Sequence, residues 1–199
     1  NGTGSLTIME LMHYFNEHKP KRTLKFIWCG SEEIGLCGSR AYCEKHKDEL
    51  DKTLFNINVD MTGTLLGFDI AVCTCDESVS KYVDFLGKIE GFPISSKVDV
   101  YSSDSSSFAG NGVPAMTFAR LAPRGGAEIH SRRDVFEHLD PVKFINTVEF
   151  MAKFSENTTF FKEVHLLKAY ELIFDTLFGI TIFVNLLHPE KTTVPMFSM

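Results

Sequence analysis

The chain has 199 residues, an apolar fraction of 44% and a formal net charge of −6 at pH 7. This length and composition suit one large globular domain, or a domain followed by a tail, with enough apolar residues for a core. The acidic balance, with no run of five like charges, argues against nucleic acid or an anionic membrane as the main partner.

The five cysteines form no paired C-x-x-C motif, so the sequence does not predict a cysteine zinc site. Their number is odd, and their density is too low for a small disulfide scaffold. We therefore interpret them as free thiols, more often buried than reactive. Free thiols favour a reducing compartment, and hence the cytoplasm.

The first third of the chain predicts a helix, a strand and a second helix. Apolar residues at helical spacing predict a helix over residues 6–18. Residues 24–29 form an apolar run that predicts a buried strand, and Glu32 and Glu33 follow its end. A helix with a charged outer face is predicted over residues 39–50.

The middle of the chain repeats this alternation. Residues 54–59 predict a second buried strand, which ends at Asp60. A third strand is predicted at 70–75, a third helix at 78–90, and a shorter strand within 92–100. This alternation indicates an α/β fold with a largely parallel sheet.

The serine-rich residues 102–107 resemble a flexible linker in composition alone. Because an apolar run resumes at 113–118, we interpret them as a compact helical turn between strands. A loop at 123–127 then leads to His130, and a helix is predicted over 141–154 with Asp140 as its N-cap.

The end of the chain is unusually apolar. Charged residues interrupt its longest apolar stretch, 166–187, and charges are costly at a bilayer centre, so a helix packed on the domain is favoured over a membrane span. We therefore divide the chain into a domain at 1–161 and a C-terminal helix and tail at 162–199, and expect no membrane partner.

Carboxylates and one histidine stand at ends of the predicted elements: Glu32, Glu33, Asp60 and His130. Ligands bind outside the carboxyl ends of strands in open α/β sheets, and zinc accepts carboxylate and imidazole ligands. A carboxylate beside a metal can act as a general base on water. Taken singly, each has a plainer interpretation as a solvated loop residue or a cap.

Four segments in order resemble those of the co-catalytic zinc aminopeptidases, metallopeptidase family 28. Residues 30–39, G-S-E-E-I-G-L-C-G-S, resemble the family's G-x-E-E-x-G-L-x-G-S. Residues 58–63, N-V-D-M-T-G, resemble N-x-D-M-x-G. Residues 103–115 are similar to S-D-H-x-x-F followed by G-x-P-A, and 130–134, H-S-R-R-D, resemble H-T-x-x-D.

The resemblance implies a three-layer α/β/α sandwich with a mostly parallel mixed sheet, of the zinc exopeptidase type, and an aminopeptidase that cleaves peptides. It implies two zinc ions per complete domain. Glu32 would be the general base. Glu33 and His130 would hold one ion and Asp60 the other, while Asp134 would support the ligands without touching a metal.

The sequence departs from the family pattern in three places. Residues 1–4 match the text that follows a bridging Asp in the family, so we expect the start of the domain, with that Asp and an earlier His ligand, to be missing. Such a chain alone is expected to bind metal weakly and to have little activity. Ser105 replaces the usual His, and Ser131 the common Thr.

Two other interpretations share the same fold. One is a glutaminyl-cyclase-like acyltransferase with one zinc ion, and the other is a non-catalytic binding relative with none. Metal content therefore separates the three. Side-chain preference and oligomeric state are left open by the sequence.

Overall fold

A computed structural model describes residues 1–122 and 128–156 of the chain. Within them, three helices precede the first two strands, after which helices and strands alternate. Their bounds are α1 Gly2–Glu17, α2 Cys37–Lys45, α3 Lys47–Leu50, β1 Asn56–Asp60, β2 Phe68–Thr74, α4 Glu77–Ile89, β3 Ile94–Val98, α5 Asp104–Ala109, β4 Ala115–Leu121 and α6 Pro141–Glu156.

The four strands form one mixed sheet in the order β1-β4-β2-β3. β1 runs parallel to β4, with Asp60 opposite Ala119, and β2 runs parallel to β3. β2 and β4 pair in the antiparallel direction, with Ala71 opposite Phe118. The expected mostly parallel mixed sheet is confirmed, with one antiparallel pairing at its centre.

The alternation of side chains along β4 builds two separate layers of core. Met116 and Phe118 point to one face, where they pack with residues of α1, α4 and α6. Ala115 and Ala119 point to the other face, where Ala115 packs with the buried Phe108 of α5. Successive strand residues face opposite sides of a sheet, so helices cover both faces and form the expected three layers.

Local sequence explains where the best-defined helix begins. Asp76 precedes α4, and its carboxylate accepts a hydrogen bond from the Ser78 N–H at 2.8 Å, which caps the helix. Val79, Val83 and Leu86 then follow at helical spacing and are buried against the sheet. The predicted helix 78–90 is confirmed.

Two predicted elements differ from the structure. Residues 24–29 are not a strand: Leu24 is buried in the core, but none of the sheet's pairings includes this segment. Leu24 is the one fully buried residue of the segment, which lines a cavity together with β1 but forms no hydrogen-bonded ladder with it. The helix predicted over 39–50 is two helices, because the chain breaks at His46, where φ is −109° and ψ is 26°.

The predicted loop 123–127 and the division at residue 161 lie outside the described residues, as does the apolar tail 162–199. Among the described helices, none combines the length and the apolar character that crossing a membrane requires.

Candidate metal centre

A cavity of about 450 Å³ lies at the carboxyl end of β1. Three separate parts of the chain contribute carboxylates to its lining. Glu32 and Glu33 come from the loop before α2, Asp60 ends β1, and Asp104 begins α5. The structure therefore brings three of the predicted site residues together and adds a fourth acid.

The loop that carries the Glu pair is held by its own backbone. Ser31 and Leu36 both have a φ of 57°, in the left-handed region. The Leu36 N–H donates to the Glu32 carbonyl at 2.8 Å, and the Gly38 N–H donates to the Gly30 carbonyl at 2.9 Å. These bonds close a compact turn, which fixes where both carboxylates leave the main chain.

Asp60 reaches the cavity as the last residue of β1. Its Oδ1 accepts a hydrogen bond from the Asn1 side-chain amide at 2.8 Å. Burial raises the pKa of Asp60, and the nearby Glu33 and Asp104 charges add to the rise, while a hydrogen bond from the Met61 N–H opposes it.

His130 meets Glu33 across a sequence separation of 97 residues: its Nε2 lies 2.7 Å from Oε1 of the glutamate. Both side chains are well exposed, at 65% and 67%. The hydrogen bond to Glu33 raises the pKa of His130, and the more distant charge of Asp134 contributes in the same direction. Asp134 is thus close enough to influence the pair.

Glu32 lies close to the other three acids of the site. Burial raises the pKa of Glu32, and the charges of Glu33, Asp60 and Asp104 raise it further. Tyr101 is also nearby: burial raises its pKa to about 12, with contributions from Asp60 and Glu32.

The residues present suit a divalent cation. Carboxylate oxygens and an imidazole nitrogen are ligands that zinc accepts. Burial, and after it the charges of the neighbouring acids, raise the pKa of Glu32 and Asp60, and a bound cation would favour their charged forms. The Glu33–His130 contact already joins two predicted ligands. Over residues 1–122 and 128–156, however, no three His, Cys, Asp or Glu side chains converge into a ready-made metal site.

The sequence does not predict three residues of the site. Asp104 lies within the motif at 103–115, which gives it no role, and Asn1 lies within the matched residues 1–4. No local pattern singles out Tyr101. The one available signal is for Asp104, a carboxylate within the serine-rich residues 102–107 and close in the chain to β4.

The fold resembles known structures of zinc aminopeptidases. A zinc aminopeptidase from Bacillus subtilis superposes with a TM-score of 0.65 at 22% identity, over 76% of this chain and 40% of that one. The LapA aminopeptidase of Legionella pneumophila gives 0.63 at 23% identity, over 76% and 44%. A glutaminyl cyclase from Porphyromonas gingivalis gives 0.61 at 15% identity, over 77% and 60%.

Curated relatives carry aminopeptidase names. A probable leucine aminopeptidase of Arthroderma benhamiae is 28% identical over 186 residues, which are 89% of this chain and 48% of that protein. A probable leucine aminopeptidase of Arthroderma otae is 26% identical over 171 residues, 80% and 47%. The chain thus spans about half the length of these relatives.

The architecture is therefore that of an α/β/α sandwich similar to the zinc aminopeptidase structures. The model of Peptidase family M28 matches residues 1–155, and the chain belongs to that family. The predicted family resemblance is confirmed.

Proposed function

We propose that the protein is a zinc-dependent aminopeptidase, which removes N-terminal residues from peptides. The observation that carries the proposal is the adjacent Glu32–Glu33 pair, held by a closed turn at a cavity that Asp60 also lines, with His130 in contact with Glu33. Family membership and the names of the relatives support the same activity.

In this proposal Glu33 and His130 hold one zinc ion and Asp60 contributes to a second. Zinc in such a site supplies Lewis acidity, which polarises a carbonyl and lowers the pKa of water. Asp134 does not bind an ion in this proposal. Its negative charge acts on the His130 imidazole.

Glu32 is the proposed general base. It lines the cavity next to Glu33 and makes no ion pair with His130, which contacts Glu33 instead. Its carboxylate accepts a proton as water attacks the scissile carbonyl, and it returns that proton to the nitrogen of the leaving peptide. The bond broken is the carbonyl carbon–nitrogen bond, and the products are a free amino acid and a shortened peptide.

The acidic wall of the cavity does not by itself decide which end of a peptide binds. Glu32, Glu33, Asp60 and Asp104 carry negative charge, but the two zinc ions of the proposed site would offset it. Aminopeptidase rather than carboxypeptidase specificity is therefore supported by the names of the relatives.

A second candidate function is acyl transfer of the glutaminyl-cyclase type, because a cyclase structure shares the fold. The two candidates differ in zinc stoichiometry, two ions against one, and in product. Incubation with an N-terminal glutaminyl peptide distinguishes them, since the cyclase releases ammonia and leaves the peptide bond intact.

The first test is hydrolysis of amino-acid p-nitroanilides by the zinc-loaded full-length protein and its Glu32→Gln variant, together with zinc content. We expect the variant to retain zinc and to lose roughly 10²–10⁴-fold in turnover, the usual contribution of a general base. Glu10→Gln is the matched control, because Glu10 is exposed on α1. Undiminished turnover in Glu32→Gln would remove Glu32 as the base.

We further propose a reducing compartment for the protein. All five cysteines are free thiols, and two of them, Cys43 and Cys73, are buried in the cores. Disulfide-free cysteines of this kind are typical of reducing compartments, which supports the cytoplasmic expectation.

A further inference from the structure

The Asn1 side chain connects the start of α1 to the carboxyl end of β1. Its Oδ1 accepts a hydrogen bond from the Gly4 N–H at 2.8 Å, which caps the helix. Its Nδ2 donates to the Val59 carbonyl at 2.9 Å and to Oδ1 of Asp60 at 2.8 Å. Both polar atoms of this side-chain amide therefore form hydrogen bonds: Oδ1 bonds to α1, and Nδ2 bonds to the end of β1.

Gly4 allows the first turn of α1 to lie close to the Asn1 side chain and to the end of β1. A Cβ on Gly4 would lie 2.5 Å from Nδ2 and 2.6 Å from Oδ1 of Asn1, and 2.6 Å from the Val59 carbonyl oxygen. Real Cβ atoms do not approach other atoms so closely, so only glycine lets the first turn of α1 lie against the Asn1 amide and the end of β1.

The next turn of α1 is joined to the same region by a different contact. The buried Thr7 hydroxyl lies 3.2 Å from the Thr62 hydroxyl, just beyond Asp60. It bonds no atom of the site itself. Thr7 is therefore a suitable control position, because its contact holds α1 against the chain after β1 without touching the Asp60 carboxylate.

We propose that Asn1 is a positioning residue for Asp60, which sets the orientation of this carboxylate for metal binding and ties it to the cap of α1. The inference rests on the proposed function, in which Asp60 is a zinc ligand. Carboxylates that bind metals are themselves held by hydrogen bonds, and losing such a partner typically weakens metal binding roughly 10- to 100-fold.

The competing explanation is that Asn1 serves the helix alone. Asn1→Ser separates the two roles. Serine is as good an N-cap as asparagine, so it retains the bond to the Gly4 N–H, but its side chain is too short to reach both partners across β1. Asn1→Ala removes both roles.

The experiment measures zinc affinity of the metal-free protein by competition with a chromophoric chelator, and its melting temperature without metal. We expect Asn1→Ser to melt as the wild type does, yet to bind zinc roughly 10- to 100-fold more weakly. We expect Asn1→Ala to lose both affinity and melting temperature. Thr7→Val is the control, with a lower melting temperature and unchanged zinc affinity.

A second variant separates failure of this inference from failure of the proposed site. If Asp60→Asn weakens zinc binding and Asn1→Ser does not, Asp60 is a ligand and the positioning role is overturned. If Asp60→Asn binds zinc as the wild type does, the proposed site itself is wrong. If the positioning role holds, Asn1→Ser has no further effect in the Asp60→Asn background.

Discussion

The buried side chain of Arg120 holds the segment between β1 and β2, which follows Asp60. Only 6% of Arg120 is exposed, and it forms an ion pair with the equally buried Asp69 of β2. Its other nitrogens donate to the Thr64 carbonyl at 2.6 Å and to the Gly67 carbonyl at 2.7 Å. The chain between β1 and β2, which starts next to Asp60, is therefore anchored to β4 through one guanidinium.

Replacement of this residue should be costly. In Arg120→Met the Asp69 carboxylate stays buried without its partner, and removing one member of a buried pair costs about 3–5 kcal/mol. Unfolding by urea should show this loss. Lys97→Met is the control, since the Lys97–Asp99 pair is more than half exposed and water screens such pairs, so its loss should change stability little. Equal effects of the two variants would show that Arg120 is not an anchor.

At the scale of elements, the turn before α2 depends on a close approach of two main-chain segments. A Cβ on Gly38 would lie 2.6 Å from both the nitrogen and the oxygen of Gly30. Glycine at this position therefore allows the closed turn that presents Glu32 and Glu33. The helix start and the acidic pair are one structural unit.

The Gly38→Ala variant tests this unit. The added methyl group forces the two segments apart, which costs about 1–3 kcal/mol as overpacking does elsewhere, and should lower zinc affinity while the helical circular dichroism signal is retained. Gly30→Ala is the matched control, because a Cβ there meets nothing within 4 Å. Wild-type zinc affinity in Gly38→Ala would contradict the coupling between turn and site.

The predicted strand at 24–29 and the predicted single helix at 39–50 differ from the structure for the same reason. The apolar run at 24–29 predicts burial, yet within this run only Leu24 is fully buried, and Trp28 is 42% exposed. Whether a buried segment joins a sheet depends on a neighbour that supplies hydrogen bonds, and local composition does not contain that information. The break at His46 likewise arises within a continuous helical pattern.

At the scale of the whole molecule, the acidic cavity links metal binding to stability. Four carboxylates face a common space, where burial and neighbouring negative charge raise the pKa of Glu32 and Asp60. A ligand that binds only the folded state stabilises it by mass action, about 2.7 kcal/mol at a concentration one hundred times its Kd. Zinc in the proposed site should therefore raise the melting temperature.

Removal of zinc by a chelator should lower the melting temperature, and readdition should restore it. We expect His130→Ala to abolish this zinc-dependent shift, because the imidazole that contacts Glu33 is lost. His13→Ala, at an exposed position of α1, should leave the shift intact. A full shift in His130→Ala would show that His130 is not a ligand.

The sequence by itself determined the α/β class, the order of most elements, the family and four candidate site residues. It did so because hydrophobic periodicity and short motifs are local properties. The alternation of apolar runs and amphipathic segments is enough to predict α4 or β2, and the motif text is enough to identify Glu32, Glu33, Asp60 and His130 as candidates.

Only the tertiary structure decided how distant parts of the chain meet. It paired β2 with β4 in the antiparallel direction, left residues 24–29 outside the ladder, and brought Asp104 and Asn1 to the same cavity as Glu32. Asn1 and Asp60 are 59 residues apart, so their hydrogen bond exists only because α1 packs against β1. Packing of whole elements, which no local pattern encodes, brings these side chains together.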